Sequence, residues 1–348
     1  MAALNVVFRA DASVTAGSGH VMRCLTLADA LTRRGAECRF ICREEVGHLL
    51  ELVRQRGHVP LALPAGDGAC GECNWRLDVT QTRGALGGRE CDWLVVDHYE
   101  LGREWEGEIR SAVGRLLAID DIGRSHVCDL LLDQNLGNPT HARYTQSRIG
   151  ASDLLLGPEF ALVGREFAEL RPRALSRRDG SLRRLLLSMG GSDLGNETVK
   201  ALAGISAGDA SRWDLDIVIG ASNPNRHSLE EACASLAKAT LHVQTSKMAE
   251  LMVLADCAVG AGGSTSWERC CLGLPALVTV MSSNQLPIAE ALARAGAHSI
   301  MGWNLGLTAS DYAIALEGLT TERLREMSEA AAAICDGRGA ERVAERLQ

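Results

Sequence analysis

Short apolar segments alternate with amphipathic stretches along the whole chain, which predicts strands and helices in alternation. The apolar segments carry hydrophobic residues at consecutive positions, as parallel strands do when helices cover both faces of their sheet. The amphipathic stretches include Val21–Arg34 and Gln285–Ala295. This repetition predicts parallel sheets with right-handed crossovers. The predicted strands are Leu4–Phe8, Cys38–Cys42, Trp93–Asp97, Leu116–Asp120, Leu130–Asp133, Arg184–Met189, Leu215–Gly220, Leu241–Gln244, Cys257–Gly260 and Ala276–Val280.

The pattern is interrupted by one polar, basic segment near the middle of the chain. Arg171–Gly180 contains Pro172 and shows no periodicity, which predicts an interdomain linker. The length of 348 residues also suits two domains, at about 150 residues for each. We therefore expect the α/β fold class, with one Rossmann-like domain over residues 1–172 and a second over residues 180–348, facing each other across a cleft.

Composition and charge argue against nucleic-acid and membrane partners. The chain has 44 acidic and 36 basic residues, so it lacks the basic footprint of non-specific nucleic-acid binding, and no nucleic-acid partner is predicted. A membrane-crossing helix needs about 18 consecutive apolar residues, and the sequence has no such run, so no membrane partner is predicted. Arg9 and Asp11 interrupt any secretory signal. Twelve cysteines in a chain of this length suggest reduced thiols and a cytoplasmic location.

A first candidate site follows the first predicted strand. Gly17 and Gly19 permit a tight turn, and His20 begins the next helix beside unsatisfied backbone N–H groups. The positive end of the helix dipole disfavours the imidazolium, so we expect a neutral His20 that can accept a proton. Arg23 lies on the same helix face, where we expect it to hold a carboxylate or phosphate. In isolation the motif also fits an ordinary glycine turn before a half-buried histidine.

Two further predicted strands of this half end in polar side chains. Asp97, His98 and Tyr99 follow one strand, and Asp120 and Asp121 follow another. A doubly wound sheet binds its ligands at the carboxyl ends of its strands. Since Asp is also a favoured helix cap, we expect one of the aspartates to serve only as a cap.

The second half carries glycine-rich turns at three strand ends: Met189–Asn196, Ile219–Asn225 and Val259–Glu268. In the last of these, glycines precede Ser264 and Thr265 at a helix start, a combination that suits a diphosphate. Glu268 then lies near the start of that helix, where an acid can accept hydrogen bonds from a ribose diol. A self-capped helix is the alternative interpretation.

Two other features predict no chemistry. Cys70 and Cys73 form a lone CxxC, whereas a structural zinc site needs four ligands and a second pair is missing. No metal site is therefore predicted. The phosphate-loop motif of nucleotidases, with its invariant Lys, is also absent from the sequence.

Taken together, these motifs resemble the family of UDP-sugar hydrolases that act in pseudaminic acid biosynthesis on UDP-2,4-diacetamido-2,4,6-trideoxy hexoses. That family is in turn similar to the two-domain GT-B glycosyltransferases, especially the peptidoglycan N-acetylglucosaminyltransferase. The chain departs from the family pattern in an insertion around Gly66–Arg89. The matching segments are Phe8–Ser13, Gly17–Arg23, Val96–Tyr99, Asp120–Asp121, His126–Asp129, Gly157–Phe167, Met189–Asp193, Ser222–Asn225 and Asn284–Gln285.

The resemblance implies a GT-B-like fold and a metal-independent hydrolase that needs no cofactor and takes a UDP-sugar as its substrate. It implies that His20 activates water for attack on the anomeric carbon and that Tyr99 is an active-site residue. The expected substrate-binding residues are Asp11, Gly17, Ser18, Gly19, Arg23, Asp97, His98, Asn196, Asn284 and Gln285. The expected UDP-binding residues are Gly190, Gly191, Ser192, Gly262, Gly263, Ser264, Thr265 and Glu268.

Two other functions fit the same residues. One is a GT-B glycosyltransferase in which an acceptor hydroxyl takes the place of water, because both nucleophiles need the same base. The other is a nucleotide-sugar-binding module without catalysis. The polar strand ends in both halves favour an enzyme over that module.

Overall fold

The structure is a computed structural model that describes residues 3–66, 74–137, 144, 153–191, 193–207, 212–221 and 223–348. The chain divides into two compact units. The first unit contains the residues up to Leu162 together with Arg338–Gln348, and the second contains Val163–Gly337.

The first unit is built on a seven-stranded parallel sheet. Its strands are β1 (Asn5–Ala10), β2 (Glu37–Arg43), β3 (Val59–Leu63), β4 (Trp93–Asp97), β5 (Arg115–Ile119), β6 (Leu130–Asp133) and β7 (Asp153–Leu156). Their order across the sheet is β3-β2-β1-β4-β5-β6-β7, and every neighbouring pair is parallel. After β3 the chain crosses to the other side of β1 to form β4, so the strand order reverses between β1 and β4. A Rossmann sheet binds its ligands at this switch point.

Helices cover both faces of this sheet. They are α1 (Gly19–Thr32), α2 (Leu50–Gln55), α3 (Trp75–Leu86), α4 (Arg103–Ile109) and the last helix of the chain, Gly339–Leu347. One face packs Phe8 against Phe40 with ring centroids 4.6 Å apart, beneath the apolar side of α1. The other face packs Trp105 and Leu101 over the opposite sides of the same strands.

The second unit has a six-stranded parallel sheet of the same design. Its strands are β8 (Arg184–Ser188), β9 (Asp214–Ile219), β10 (Ala239–Val243), β11 (Cys257–Ala261), β12 (Ala276–Val280) and β13 (Ser299–Trp303). The order β10-β9-β8-β11-β12-β13 places the switch point between β8 and β11.

Eight helices are described in the second unit, and they complete its hydrophobic core. Tyr312 and Met327 are fully buried members of that core. The helices are α5 (Arg165–Leu175), α6 (Glu197–Ser206), α7 (Arg226–Ala234), α8 (Met248–Leu254), α9 (Thr265–Cys271), α10 (Leu286–Arg294), α11 (Ala309–Glu317) and α12 (Thr321–Ile334), where α5 opens the unit. We call the last helix of the chain α13.

All ten predicted strands are present, with their ends shifted by two residues or fewer. The α/β fold class and the Rossmann-like design of each half are thus confirmed. The strands that the sequence did not indicate are β3, β7 and β13. Each lies at the edge of its sheet and exposes part of its side chains, so its sequence lacks a continuous apolar run.

The prediction of a linker at Arg171–Gly180 was wrong, because its first part belongs to α5. The arginines bind carbonyl oxygens at the ends of neighbouring helices. Arg171 donates to Ala332 at 2.7 Å, at the end of α12, and Arg178 donates to Met252 at 3.0 Å, at the end of α8. Cationic side chains suit these sites since the last carbonyls of a helix lack partners and carry negative charge.

The domain boundaries also differ from the prediction. The division falls at Leu162, and α13 belongs to the first unit rather than the second. Trp93 in β4 donates its Nε1–H to the carbonyl of Leu347 at 2.8 Å, and Val343 is fully buried against α1. The sequence gives no signal for this assignment, because the apolar stripe of an amphipathic helix does not specify which domain it covers.

The described part of the Gly66–Arg89 insertion forms α3, which a buried charge network attaches to the sheet. Asp78 of α3 accepts from Arg9 at 2.6 Å, from Arg43 at 2.7 Å and from the Trp105 ring N–H at 2.9 Å. Cys70 and Cys73 lie outside the described residues. The ten cysteines that the structure describes are buried free thiols. None of the described helices combines the length and the apolarity that a membrane crossing needs.

Candidate active site

The first unit gathers its predicted site residues at the switch point of its sheet. β1 and β4 are neighbours, so the residues that follow them lie side by side at the carboxyl edge. The residues after β1 lead into α1, which begins at Gly19. His20, Arg23, Asp97 and Tyr99 are therefore brought together, although Asp97 lies 77 residues from His20 in the chain.

His20 is oriented by a buried carboxylate. Its Nδ1 lies 2.6 Å from Oδ1 of Asp97, whereas the side chain of His20 keeps 14% of its surface exposed. Because a carboxylate only accepts hydrogen bonds, Nδ1 carries the proton and the lone pair is on Nε2. This is the arrangement in which a histidine acts as a general base. The expectation from the helix dipole alone was incomplete, because it did not include the negative charge of Asp97.

Arg23 binds the same carboxylate as His20, and it also pairs with a second carboxylate. Its Nε lies 2.5 Å from Oδ2 of Asp97, and its Nη1 lies 2.8 Å from Oδ2 of Asp121. Burial by itself raises the pKa of Asp97, but Arg23 and His20 outweigh it and hold that pKa well below its usual value. The prediction that Arg23 binds a substrate anion does not fit this geometry, because the guanidinium is buried and already neutralised by two carboxylates.

Tyr99 links the ring of His20 to Asp121. The two rings meet edge to face, with centroids 4.5 Å apart and planes at 83°. The phenolic O–H donates to Oδ2 of Asp121 at 3.0 Å. Tyr99 thus packs against the imidazole on one side and is anchored to a carboxylate on the other.

Asp11 and His98 form a second pair of interacting side chains, besides His20 and Asp97. Asp11 accepts from Arg9 at 2.7 Å and from the backbone N–H of Arg43 at 2.7 Å. His98 places Nε2 3.4 Å from Asp11 and accepts the Glu100 N–H on Nδ1 at 3.1 Å. These contacts engage both oxygens of Asp11 and both ring nitrogens of His98, so the two side chains support the strand ends. Their direct contact with substrate stays a prediction.

The aspartate pair after β5 divides its roles, but neither residue caps a helix, because no helix begins at residues 120–129. Asp120 accepts the backbone N–H groups of Gly123 and Arg124 at 2.7 and 2.8 Å and so stabilises the turn after β5. Asp121 faces Arg23 and Tyr99. Asn135 was not indicated by the sequence. Its amide donates to Asp121 at 3.0 Å, and its Oδ1 is buried without a hydrogen-bond partner among the described residues. The polar residues that directly follow β6 were the available signal.

The loop before α1 is tightly closed. Ser13 and Gly17 exchange two backbone hydrogen bonds of 3.3 and 2.8 Å, and Gly17 has a φ of +78° that favours glycine. Ser18 is the N-cap residue of α1, and its side chain makes no capping hydrogen bond. The first N–H groups of a helix can bind an anion or a polar substrate group when the cap residue does not satisfy them.

In the second unit, the turn after β8 contains an aspartate that caps the helix after it. Gly190 has a φ of +99°, and Gly191 accepts the Gly220 N–H at 2.9 Å. The carboxylate of Asp193 accepts the N–H groups of Glu197 and Thr198 at 2.9 and 2.8 Å, which caps α6. Asn196 adopts a left-handed backbone with φ 56°, and in the part of the chain that the structure describes its buried Oδ1 has no hydrogen-bond partner. Ser192 lies outside the described residues.

The turn after β11 is joined to the turn after β12 by one amide. Oε1 of Gln285 accepts the N–H of Gly262 at 3.2 Å and that of Met281 at 3.1 Å. Gly263 stands beside the Nε2 of the same amide, which lies 3.7 Å from the position that a Cβ would take. Gln285 therefore holds the glycine turn in place, a supporting role that its prediction as a substrate contact did not include.

The remaining predicted residues of this turn lie at the surface or close to it. Ser264 is exposed and makes no capping hydrogen bond, and Thr265 is half-buried. Glu268 is half-buried, and burial raises its pKa to about 7. Asn284 accepts a hydrogen bond from Ser282 and is also half-buried. Among the described residues, no group of three or more His, Cys, Asp or Glu side chains is arranged to hold a metal ion.

Comparison with known proteins places these features in context. No family model matches the chain. It is 23% identical over 251 residues to the UDP-2,4-diacetamido-2,4,6-trideoxy-beta-L-altropyranose hydrolase of Campylobacter jejuni, a match that covers 72% of this chain and 81% of that protein. It is 22% identical over 289 residues to an uncharacterized protein of Methanocaldococcus jannaschii, covering 81% of this chain and 56% of that one. The chain thus spans little more than half the length of the archaeal relative.

The fold matches solved structures along nearly the whole chain. MurG of Acinetobacter baumannii superposes with a TM-score of 0.68 and 15% identity, covering 99% of both chains. Other solved glycosyltransferases also match. The chain has a GT-B fold, as the sequence predicted, and it is a distant homologue of the Campylobacter hydrolase.

Proposed function

We propose that the protein hydrolyses a UDP-linked 2,4-diacetamido-2,4,6-trideoxy hexose and releases UDP and the free sugar. The observation that supports this most directly is the 2.6 Å contact between Nδ1 of His20 and Asp97. That contact leaves Nε2 as a base on a ring whose side chain keeps 14% of its surface exposed. The distant likeness to the Campylobacter hydrolase supports the choice of substrate.

The proposed reaction needs one base and one stabilised leaving group. Nε2 of His20 takes a proton from water while the water oxygen bonds to the anomeric carbon. The bond between that carbon and the diphosphate oxygen breaks, and its electron pair leaves with UDP. General-base catalysis of this kind is worth about 10²–10⁴-fold. The imidazolium that forms is stabilised by Asp97, whose charge is only partly used by Arg23.

The UDP site is proposed at the glycine turns of the second unit. The N–H groups of the turns after β8 and β11 suit the diphosphate, and Ser192, Ser264 and Thr265 offer hydroxyls. Glu268 is proposed to accept hydrogen bonds from the ribose diol. Ser18 and Gly19 are proposed as substrate contacts because they lie at the start of α1, where the Ser18 side chain makes no capping hydrogen bond. Asn196 is proposed as another, because its buried Oδ1 has no hydrogen-bond partner among the described residues.

A glycosyltransferase that uses a UDP-sugar donor is the second candidate, and the likeness to MurG and other solved transferases favours it. The deciding experiment incubates the protein with a panel of UDP-diacetamido sugars and no acceptor. Mass spectrometry and proton NMR then identify the products. Release of free sugar with UDP over many turnovers supports hydrolysis, whereas turnover that begins only when an acceptor is added supports a transferase. A cytoplasmic location remains a prediction based on the cysteine usage.

A further inference from the structure

A buried guanidinium lies beneath the glycine turn that follows β11. Arg269 of α9 is only 5% exposed. Its Nη2 donates to the carbonyl of Ala261 and to Oγ of Ser266, both at 2.9 Å, and its Nη1 lies 3.5 Å from Oγ1 of Thr265. Because Ala261 ends β11 and Thr265 begins α9, the guanidinium lies directly under the residues that connect them, 262–264.

The positive charge of Arg269 is not compensated locally. In the described part of the chain, its hydrogen-bond partners are neutral oxygens. The buried Arg9 and Arg23 instead each contact two carboxylates. Glu268 acts on Arg269 only through space, and burial lowers the pKa of Arg269. A buried cation without a counter-charge is costly, so its retention needs an explanation.

The turn above Arg269 is suited to receive the missing anion. Gly262 donates its backbone N–H to Oε1 of Gln285, which fixes the turn. A Cβ at Gly263 would meet only the Gln285 amide, at 3.7 Å, so the backbone at Gly263 permits the close approach of a ligand. Thr265 and Ser264 add hydroxyls at the same place. Helix α9 has only seven residues, so its dipole is a weak source of positive potential, and the full charge of Arg269 is a stronger one.

We infer that Arg269 supplies the buried counter-charge for a diphosphate bound at Gly262–Thr265 and acts as a positioning residue through that turn, without touching the ligand. The identity of the ligand as UDP rests on the proposed function. The presence of an anion site above Arg269 does not, because it follows from the geometry of the second unit alone.

The test compares two variants that separate charge from hydrogen bonding. Arg269→Gln removes the charge and keeps an N–H donor for Ala261, whereas Arg269→Lys keeps the charge and loses the planar fork. Calorimetry measures the binding of UDP, uridine and inorganic pyrophosphate. We expect Arg269→Gln to weaken UDP and pyrophosphate about 10–100-fold and to change uridine less than about twofold. We expect Arg269→Lys to stay within about fivefold of the wild type for all three ligands.

Arg184→Met is the matched control, because it removes one arginine from the same unit at the opposite end of β8, where Arg184 pairs with Asp216 at 2.6 Å. It should leave all three affinities unchanged. Equal losses of UDP and uridine binding in Arg269→Gln would show a purely structural role and overturn the inference. Unchanged pyrophosphate binding would also overturn it.

Two outcomes separate this inference from the proposed function. If the wild type binds pyrophosphate in an Arg269-dependent way but does not bind UDP, the anion site stands and the proposed function falls. If UDP binds equally to the wild type and to Arg269→Gln, the function stands and the role of Arg269 falls. Should Arg269→Gln not fold, thermal melting of the wild type decides, and the absence of stabilisation by pyrophosphate overturns the inference.

Discussion

Nδ1 of His20 and Oδ1 of Asp97 lie 2.6 Å apart, and the same carboxylate of Asp97 also accepts a hydrogen bond from Arg23. One buried carboxylate thus fixes the tautomer of the imidazole and neutralises part of a guanidinium. This relationship gives His20 a defined proton-accepting nitrogen. It also suggests variants that test the base His20, the orienting carboxylate of Asp97 and the neighbouring ring of Tyr99 separately.

Replacement of His20 by Asn should reduce the turnover of UDP-sugar by about 10²–10⁴-fold, because the proposed base is lost. Calorimetric UDP affinity should stay within about twofold, since UDP is assigned to the second unit. His227→Asn is the control, because His227 is 85% exposed on α7. Turnover close to that of the wild type in His20→Asn would remove His20 from the mechanism.

Asp97→Asn should lower kcat by about 10²-fold or more with little change in KM, because an amide in place of the carboxylate no longer fixes the proton on Nδ1. It should also lower the free energy of unfolding by about 3 kcal/mol, since Arg23 then loses one of its two carboxylates. Steady-state kinetics and denaturant unfolding measure the two effects. A fall in stability with no fall in kcat would make Asp97 merely structural.

Tyr99→Phe should keep the edge-to-face contact with His20 and lose the hydrogen bond to Asp121. We expect kcat to fall less than about tenfold in Tyr99→Phe and more in Tyr99→Ala, where the ring that packs against the imidazole is gone. Equal losses in the two variants would instead assign the effect to the phenolic hydroxyl.

UDP binding should weaken on acidification because of Glu268. Burial raises its pKa to about 7, so the carboxylate that we propose as the acceptor for the ribose diol is present above pH 7 and is lost as the pH falls through 7. Between pH 8 and pH 6 we expect a roughly three- to tenfold loss of affinity. Glu268→Gln should bind more weakly at pH 8 and show a flat profile. A wild-type affinity that does not change over this range would contradict the assignment.

The stability of the protein should fall at alkaline pH through His126. This residue is fully buried, with Nδ1 2.6 Å from Glu106. Burial alone lowers its pKa, but Asp120 and Glu106 outweigh it and raise the pKa from 6.5 to about 9. The stabilisation is therefore complete below pH 6.5 and is lost as the pH rises through 9, by on the order of 3 kcal/mol. His126→Gln should flatten this slope in denaturant unfolding.

Inner strands were visible in the sequence, and edge strands were not. A strand buried on both faces is apolar at consecutive positions, as in Trp93–Asp97, whose predicted and observed ends agree. β3 contains Pro60 and is partly exposed, so its composition does not distinguish it from a loop. The basic segment around Arg171 misled for a similar reason, because a linker and a set of helix-capping arginines have the same composition.

The sequence by itself determined the α/β fold class, ten strands, and which strand ends carry polar chemistry, because hydrophobic periodicity and turn residues are local properties. Tertiary structure decided what each polar group does. Asp11, Arg23 and Asp97 looked like ligand contacts, but their charges are satisfied by partners that the fold brings from distant positions. Arg269 looked like an ordinary helix residue, and only its burial under a glycine turn revealed an uncompensated charge. Charge pairing depends on three-dimensional distance and on desolvation, and neither is encoded in spacing along the chain.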